Sequence, residues 1–94
     1  MIKVFKEMDK IIISGHANYA DSNDIVCASV SSIMYTTVNA ILNINEEAIT
    51  FEDDNNKCTI TIKSHDDITD KLIDNMMLLL TELKDKYPSN IEIK

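Results

Sequence analysis

This chain of 94 residues has little that interrupts regular structure, since it contains one glycine and one proline. No linker, repeat or low-complexity stretch divides it. A chain of this length can bury one hydrophobic core. Its 45% hydrophobic and 27% charged residues are ordinary for globular proteins and argue against disorder. We therefore expect a single domain over residues 1–94.

Cysteine is also scarce. The two cysteines, Cys27 and Cys58, form no CxxC pair, which disfavours a structural zinc site. The first ten residues carry several charged side chains and no apolar run, so no signal peptide is expected. These features together indicate a cytoplasmic protein with free thiols, no metal and no other cofactor.

Positively charged residues are also few. Lys and Arg number 9 against 16 Asp and Glu, which leaves a net charge of -7. Binding to a nucleic acid or to an acidic membrane surface requires a basic patch, and neither is an expected partner. The charge favours a basic protein or peptide instead.

The longest stretch without a charged residue runs from Ile25 to Ile44 and predicts a helix. Serine, threonine and asparagine interrupt it, which argues against a transmembrane span. One sheet can cover only one side of such a helix, so the uncharged remainder suggests a contact with a second subunit. Apolar residues follow the helical period at Val26, Val30, Ile33, Val38 and Ile41.

The remaining segments predict five strands and a second helix. Strands are expected over residues 2–6, 11–13, 48–52, 58–63 and 91–93, with a turn at Asp53-Asp54-Asn55-Asn56. The second helix is expected over residues 68–87, ended by Pro88, with an apolar stripe formed by Leu72, Met76, Leu79, Leu80 and Leu83. The order ββαββαβ predicts an α+β fold with two helices on one face of a mixed or antiparallel sheet.

The residues with the most reactive side chains lie between the second strand and the first helix. His16 follows the strand, and Cys27 lies in the first turn of the helix if Asp24 is the N-cap. The positive end of the helix dipole favours a thiolate there, and a histidine within reach would complete an activated nucleophile. Amides at the helix start are expected to stabilise an oxyanion. Asp24 either caps the helix or orients His16.

Each of these residues also has a purely structural interpretation. A lone cysteine in a buried helix is usually a small hydrophobe, and a lone histidine near a strand end is usually a solvated or hydrogen-bonded residue. Cys58 alternates in phase with Ile60 and Ile62, which predicts a core position. His65, in the loop before the second helix, is the alternative base if His16 is too distant.

Two blocks of the sequence resemble the signature of the ribosomal-processing cysteine protease family (Prp, or YsxB-like). They are Gly15-His16-Ala17-Asn18-Tyr19-Ala20 and Asp24-Ile25-Val26-Cys27-Ala28-Ser29-Val30-Ser31. The pattern, GHA-x-[YF]-A followed by D-I-V-C-[AS] at a near-fixed spacing, is specific. Chain length and element order agree with the family too, so the resemblance covers essentially the whole chain.

The resemblance implies a cytoplasmic, homodimeric bacterial cysteine endopeptidase. Its substrate would be a ribosomal protein with an N-terminal extension, the twenty-seventh of the large-subunit L series. Family members cut after an aromatic residue, typically Phe, that precedes a small residue and a basic tail.

The resemblance also assigns roles to residues. Cys27 would be the nucleophile, His16 the general base, and Asp24, Gly15 and Ser31 supporting residues. A substrate loop would comprise Ala17, Asn18, Tyr19, Ala20, Asp21, Ser22 and Asn23. This loop is one residue shorter than the family pattern, and Ser22-Asn23 replace a family glycine.

Two other classes of function remain open. A non-catalytic binding module for a basic ribosomal protein would bind its partner and never cut it. A redox or acyl-transferring thiol enzyme is the second, and a redox role would need Cys58 as a resolving cysteine for Cys27. A disulfide between the two would indicate that role.

Overall fold

The structure is a computed structural model that describes residues 1–22 and 24–94. Its elements are β1 (Ile2–Lys6), β2 (Lys10–Ser14), α1 (Ile25–Ile44), β3 (Ile49–Asp54), β4 (Lys57–Ile62), α2 (Asp67–Lys86) and β5 (Ile91–Ile93). The strands form one sheet in the order β3-β4-β2-β1-β5. All neighbouring strands are antiparallel except β1 and β5, which are parallel. The predicted α+β fold and the order ββαββαβ are confirmed.

Both helices cover the same face of this sheet. Successive strand residues point to opposite faces, so β-branched residues at alternate positions form one apolar surface. This surface is fully buried and consists of Ile2, Val4, Ile11, Ile13, Ile49, Ile60, Ile62 and Ile91. The helices cover it with Val26, Val30, Met34, Val38, Ile41, Ile73, Met76 and Leu80. The opposite face of the sheet exposes Phe5.

The buried stripe of α2 differs from the prediction at one position. Leu79 is 37% exposed, so its assignment to the stripe is wrong. Thr69 and Ile73 are buried instead, together with Met76 and Leu80. These four residues follow one another at intervals of three or four and therefore share one side of the helix, which Leu79 does not.

The second hairpin has a tighter turn than predicted. β3 continues through Asp54 and β4 begins at Lys57, so the turn contains only Asn55 and Asn56. Asn55 adopts a left-handed conformation with φ of 57°, which asparagine tolerates better than most residues. The assignment of Asp53 and Asp54 to the turn is therefore wrong, and Asp53 pairs with Cys58 across the strands.

Helix α1 is long enough and apolar enough, by length and composition alone, to cross a membrane, with a mean hydropathy of 1.6. Core helices commonly meet the same criterion. Here one side of α1 packs on the sheet through residues that include Val26, Val30 and Ile41. The helix therefore serves as part of the hydrophobic core.

Candidate active site

A short loop joins the end of β2 to the start of α1, and Gly15 is its first residue. The Gly15 N–H donates to the carbonyl of Asn56 at 2.9 Å, and its φ is +88°. A Cβ placed there would lie 2.6 Å from the Met1 carbonyl oxygen. Only glycine fits this turn without strain, and His16 directly follows it.

Asp24 organises both the helix start and the loop. Its Oδ1 accepts the N–H groups of Val26 and Cys27, each at 3.0 Å, as the N-cap of α1. Its Oδ2 accepts the N–H groups of Tyr19 at 3.0 Å and Ala20 at 3.4 Å. These bonds, above all the one from Cys27, hold the pKa of Asp24 below its usual value. Of the two roles open for Asp24, the structure shows helix capping.

The same capping occupies amides that were expected to face an oxyanion. The N–H groups of Val26 and Cys27 point to the Asp24 carboxylate, and that of Ala28 donates to the Asp24 carbonyl at 3.1 Å. These three donors are therefore already used. The expectation that they stabilise a developing oxyanion stays a prediction, and it requires at least one of them to be shared with its Asp24 partner or released from it.

The Cys27 sulfur has a backbone donor of its own. The Ala17 N–H donates to Cys27 Sγ at 3.2 Å, and the Ala17 residue is only 1% exposed. Cys27 is a free, half-buried thiol at the third position of α1. A donor directed at sulfur stabilises the thiolate more than the thiol, because the anion is the stronger acceptor.

His16 is exposed and lies beside Cys27. The two residues line the same two cavities. Among the described residues, no hydrogen bond joins the His16 imidazole to the Cys27 sulfur. Catalytic hydrogen bonds are often long in a free enzyme and tighten when substrate binds.

The two cavities differ in character. The first, of about 610 Å³, is enclosed by the loop and is lined by Asn18, Tyr19, Ala20, Asp21, Ser22 and Asp24. The second, of about 300 Å³, lies between α1 and the sheet and has apolar walls that include Ile13, Val30 and Met34. Gly15 and Ser31 also line the second cavity. Asn23, the last residue of the predicted substrate loop, lies outside the described residues.

The far end of the second cavity holds a polar group that the sequence did not reveal. The Tyr35 hydroxyl donates to Asp53 Oδ2 at 2.5 Å, and this bond raises the pKa of Tyr35 to about 12. Burial, and then the neighbouring Asp53, raise the pKa of the Cys58 thiol. Cys58 is thus held as a neutral thiol, which disfavours it as a redox partner. Ile49, Phe51 and Asp53 are alternate residues of β3, and this spacing could have predicted that Asp53 lies on the same face of the sheet as the two apolar residues.

His65 lies at the other end of β2. Its Nε2 is 2.6 Å from Asp9 Oδ1 and its Nδ1 is 2.9 Å from Asp70 Oδ1. It lines neither of the two cavities, so His16 is the histidine that accompanies Cys27. Within residues 1–22 and 24–94, no cluster of three or more His, Cys, Asp or Glu side chains is placed to hold a metal ion.

A half-buried cysteine in the first turn of a helix, with a backbone donor on its sulfur and a histidine lining the same cavities, is compatible with a cysteine-dependent hydrolase. The family model described as cysteine protease Prp matches residues 1–92. The chain belongs to this family and is a cysteine protease.

Similar proteins support this assignment. The ribosomal processing cysteine protease Prp of Staphylococcus aureus (strain Mu50) is 30% identical over 87 residues, which cover 88% of this chain and 82% of that protein. The fold matches the crystal structure of the S. aureus enzyme with a covalently linked product peptide at a TM-score of 0.86, with 23% identity over 99% of this chain and 95% of that one. SMU.848 from Streptococcus mutans has a TM-score of 0.77, with 21% identity over 99% and 90% of the two chains.

Proposed function

We propose that this protein is a cytoplasmic endopeptidase that removes the N-terminal extension of a large-subunit ribosomal protein, the twenty-seventh of the L series. The observation that carries the proposal is the position of Cys27. Its sulfur accepts an N–H and the residue lines both cavities, so we infer that an extended peptide passes from one cavity to the other across the nucleophile. The relatives named for ribosomal processing support the choice of substrate.

In the proposed reaction His16 accepts the Cys27 proton, and the thiolate attacks the scissile carbonyl. The C–N bond breaks as His16 returns the proton to the leaving amine, and an acyl-enzyme remains. Water then attacks the thioester with His16 as base, which releases the acid and regenerates the thiol. The N–H groups of Val26 and Cys27 are bonded to Asp24, and our candidate donor to the oxyanion is the Ala17 N–H, which lies beside the sulfur.

The two cavities also suggest the direction in which substrate binds. The apolar walls of the second cavity, among them Val30 and Met34, suit the aromatic side chain before the cut. The loop cavity is more polar and contains the carboxylate of Asp21, which suits the small residue and basic tail that follow. The net charge of -7 favours the same basic partner.

We also propose that the protein is a homodimer. The outer side of α1 forms a shallow hollow with α2, lined by Ile25, Ala28, Ser29, Ser32, Ile33 and Leu83. None of these side chains is charged, and Ile25 is 51% exposed. A second copy of the same surface complements it without burying an unpaired charge.

The test is cleavage of a peptide that carries a Phe-Ala junction and a basic tail, with the cut located by mass spectrometry. We expect a single cut after Phe. Cys27→Ala should abolish it, because no nucleophile remains, and His16→Gln should slow it by about 10²-fold or more. Thermal unfolding of each variant checks that the fold is intact.

His65→Gln is the matched control, since this second histidine lies at the other end of β2 from the site. It should retain cleavage at a rate close to that of the unmodified protein. Continued cutting by Cys27→Ala would disprove the proposed nucleophile. Binding of the peptide without any cut would favour the non-catalytic binding module.

A further inference from the structure

The turn between α2 and β5 reaches the loop that carries the active site. The side chain of Asn90, in this turn, donates from Nδ2 to the carbonyl oxygen of Ala17 at 2.9 Å, across 73 positions of sequence. A carbonyl can only accept, so the amide nitrogen of Asn90 must face it. The two residues are otherwise remote in the chain.

The backbone of Asn90 is itself held on both sides. Its N–H donates to the carbonyl of Tyr87 at 3.0 Å, and its carbonyl accepts the N–H of Ile2 at 2.9 Å. The second bond connects the turn to the first residue of β1, which pairs in parallel with β5. The side-chain amide therefore extends from a fixed point of the sheet.

Ala17 in turn contacts the nucleophile. Its N–H donates to Cys27 Sγ, while its carbonyl accepts from Asn90, so the two polar groups of one buried residue connect the turn to the sulfur. The next residue, Asn18, has a φ of 56°, so the chain turns sharply just after Ala17. Without the Asn90 bond, the Ala17 carbonyl would have no described partner to oppose rotation of this segment.

We propose that Asn90 is a positioning residue, which holds Ala17 so that its N–H remains directed at the Cys27 sulfur. The inference rests on the proposed role of Cys27 as nucleophile. The same turn contacts the loop a second time through the edge-to-face rings of Tyr87 and Tyr19, whose centroids are 5.4 Å apart. Of these two contacts, the one from Asn90 is made to Ala17, the residue that donates to sulfur.

The test compares Asn90→Ala and Asn90→Asp with the unmodified protein. Asp keeps the size of the side chain but has no N–H to donate, and its carboxylate faces the Ala17 carbonyl. Both variants should move the pH profile of Cys27 alkylation by iodoacetamide to higher pH, because the thiolate loses a well-placed donor. Cleavage efficiency, kcat/KM, should fall by about three- to tenfold, with most of the loss in kcat.

Peptide mapping by mass spectrometry follows Cys27 and Cys58 separately in each sample. The Cys58 profile should not move and is the internal reference. Asn75→Asp places the same change of charge on the exposed side of α2 and should leave both profiles unchanged. Thermal unfolding confirms that each variant is folded at the assay temperature, and Asn90→Leu, which has a side chain of similar size and no donor, serves if the other two are not.

A Cys27 profile that stays in place in a folded Asn90 variant would overturn the inference, even if stability falls. The alkylation is measured without substrate, so its result is independent of the proposed protease activity. If the unmodified protein cuts no peptide while the Cys27 profile shifts in the variants, the proposed function fails and the positioning role of Asn90 stands. If the unmodified protein cuts the peptide while the Cys27 profile does not shift in the variants, the proposed function stands and the positioning role of Asn90 fails.

Discussion

At Gly15 the backbone bends against the main chain of Met1. A methyl group there would lie 2.6 Å from a carbonyl oxygen, and the φ of +88° is one that other residues adopt only with strain. The obstructing atom belongs to the backbone, so no side-chain rotation relieves the clash. Position 15 therefore tolerates only glycine, and it directly precedes His16.

We expect Gly15→Ala to lower the free energy of unfolding by about 1–3 kcal/mol, the usual effect of a strained backbone position. It should also reduce cleavage, because relief of the clash displaces His16. Urea denaturation and peptide cleavage measure the two effects. Ser14→Ala, one position earlier in β2, should change neither, and an equally stable Gly15→Ala would contradict the clash.

Individual site residues were predictable where they are neighbours in sequence. His16, Asp24 and Cys27 lie within one loop and one helical turn, so their proximity could be predicted from spacing, and their catalytic roles stay a proposal. The contacts of Asn90 with Ala17 and of Tyr35 with Asp53 span 73 and 18 positions. Such contacts depend on the packing of whole elements, which no local pattern encodes.

Helix boundaries were easier to predict than strand boundaries. α1 begins and ends where predicted, because Asp24 is a strong cap before an uncharged run. α2 spans Asp67–Lys86, one residue earlier than predicted at each end, with Asp66 as its cap. The error in β3 arose because acidic residues usually favour turns, whereas here Asn55 and Asn56 alone make the turn.

His65 connects two elements, the turn between β1 and β2 and the first turn of α2. Both ring nitrogens face carboxylates, of Asp9 and Asp70, and only the doubly protonated imidazole can donate to both at once. The bond to Asp9, and then the bond to Asp70, raise the pKa of His65. The contacts of His65 with Asp9 and Asp70 are therefore strongest when the imidazole is charged.

This arrangement predicts a pH dependence of stability. Because the pKa of His65 is higher in the folded protein, its contribution is fully present below the unfolded pKa, about 6.5, and is lost as the pH rises through the folded pKa. Urea denaturation from pH 6 to pH 9 should show a decline that His65→Gln lacks and that His16→Gln retains. A stability difference between His65→Gln and the unmodified protein that stays constant across this range would contradict the prediction.

At the scale of the whole molecule, the sequence indicated which residues face the core but not which strands are neighbours. The alternation of apolar and polar residues predicts which face of a strand is buried, but it does not predict which strands pair with each other. The parallel pairing of β1 with β5 places the start of β5 beside the start of β1, and Asn90, just before β5, reaches the loop that carries the active site. That placement follows from the global packing of both helices on one sheet face.

The proposed dimer is tested by a charge placed on its surface. Ser32→Arg introduces an unpaired charge into the hollow between α1 and α2 and should raise the dimer dissociation constant at least about tenfold. Thr81→Arg adds the same charge at an exposed position on the outer side of α2 and should leave the dimer intact. Sedimentation velocity distinguishes the species, and a monomeric unmodified protein at tens of micromolar, about 10⁻⁵ M, would refute the dimer.

The hydrogen bond from Asn90 to Ala17 has a consequence for the protein during its own synthesis. The ribosome makes the cysteine well before the residue that anchors its backbone donor, since 73 positions separate Asn90 from Ala17. A nascent chain therefore displays the thiol before the anchored site can exist. Assembly of the site must wait until translation has passed Asn90.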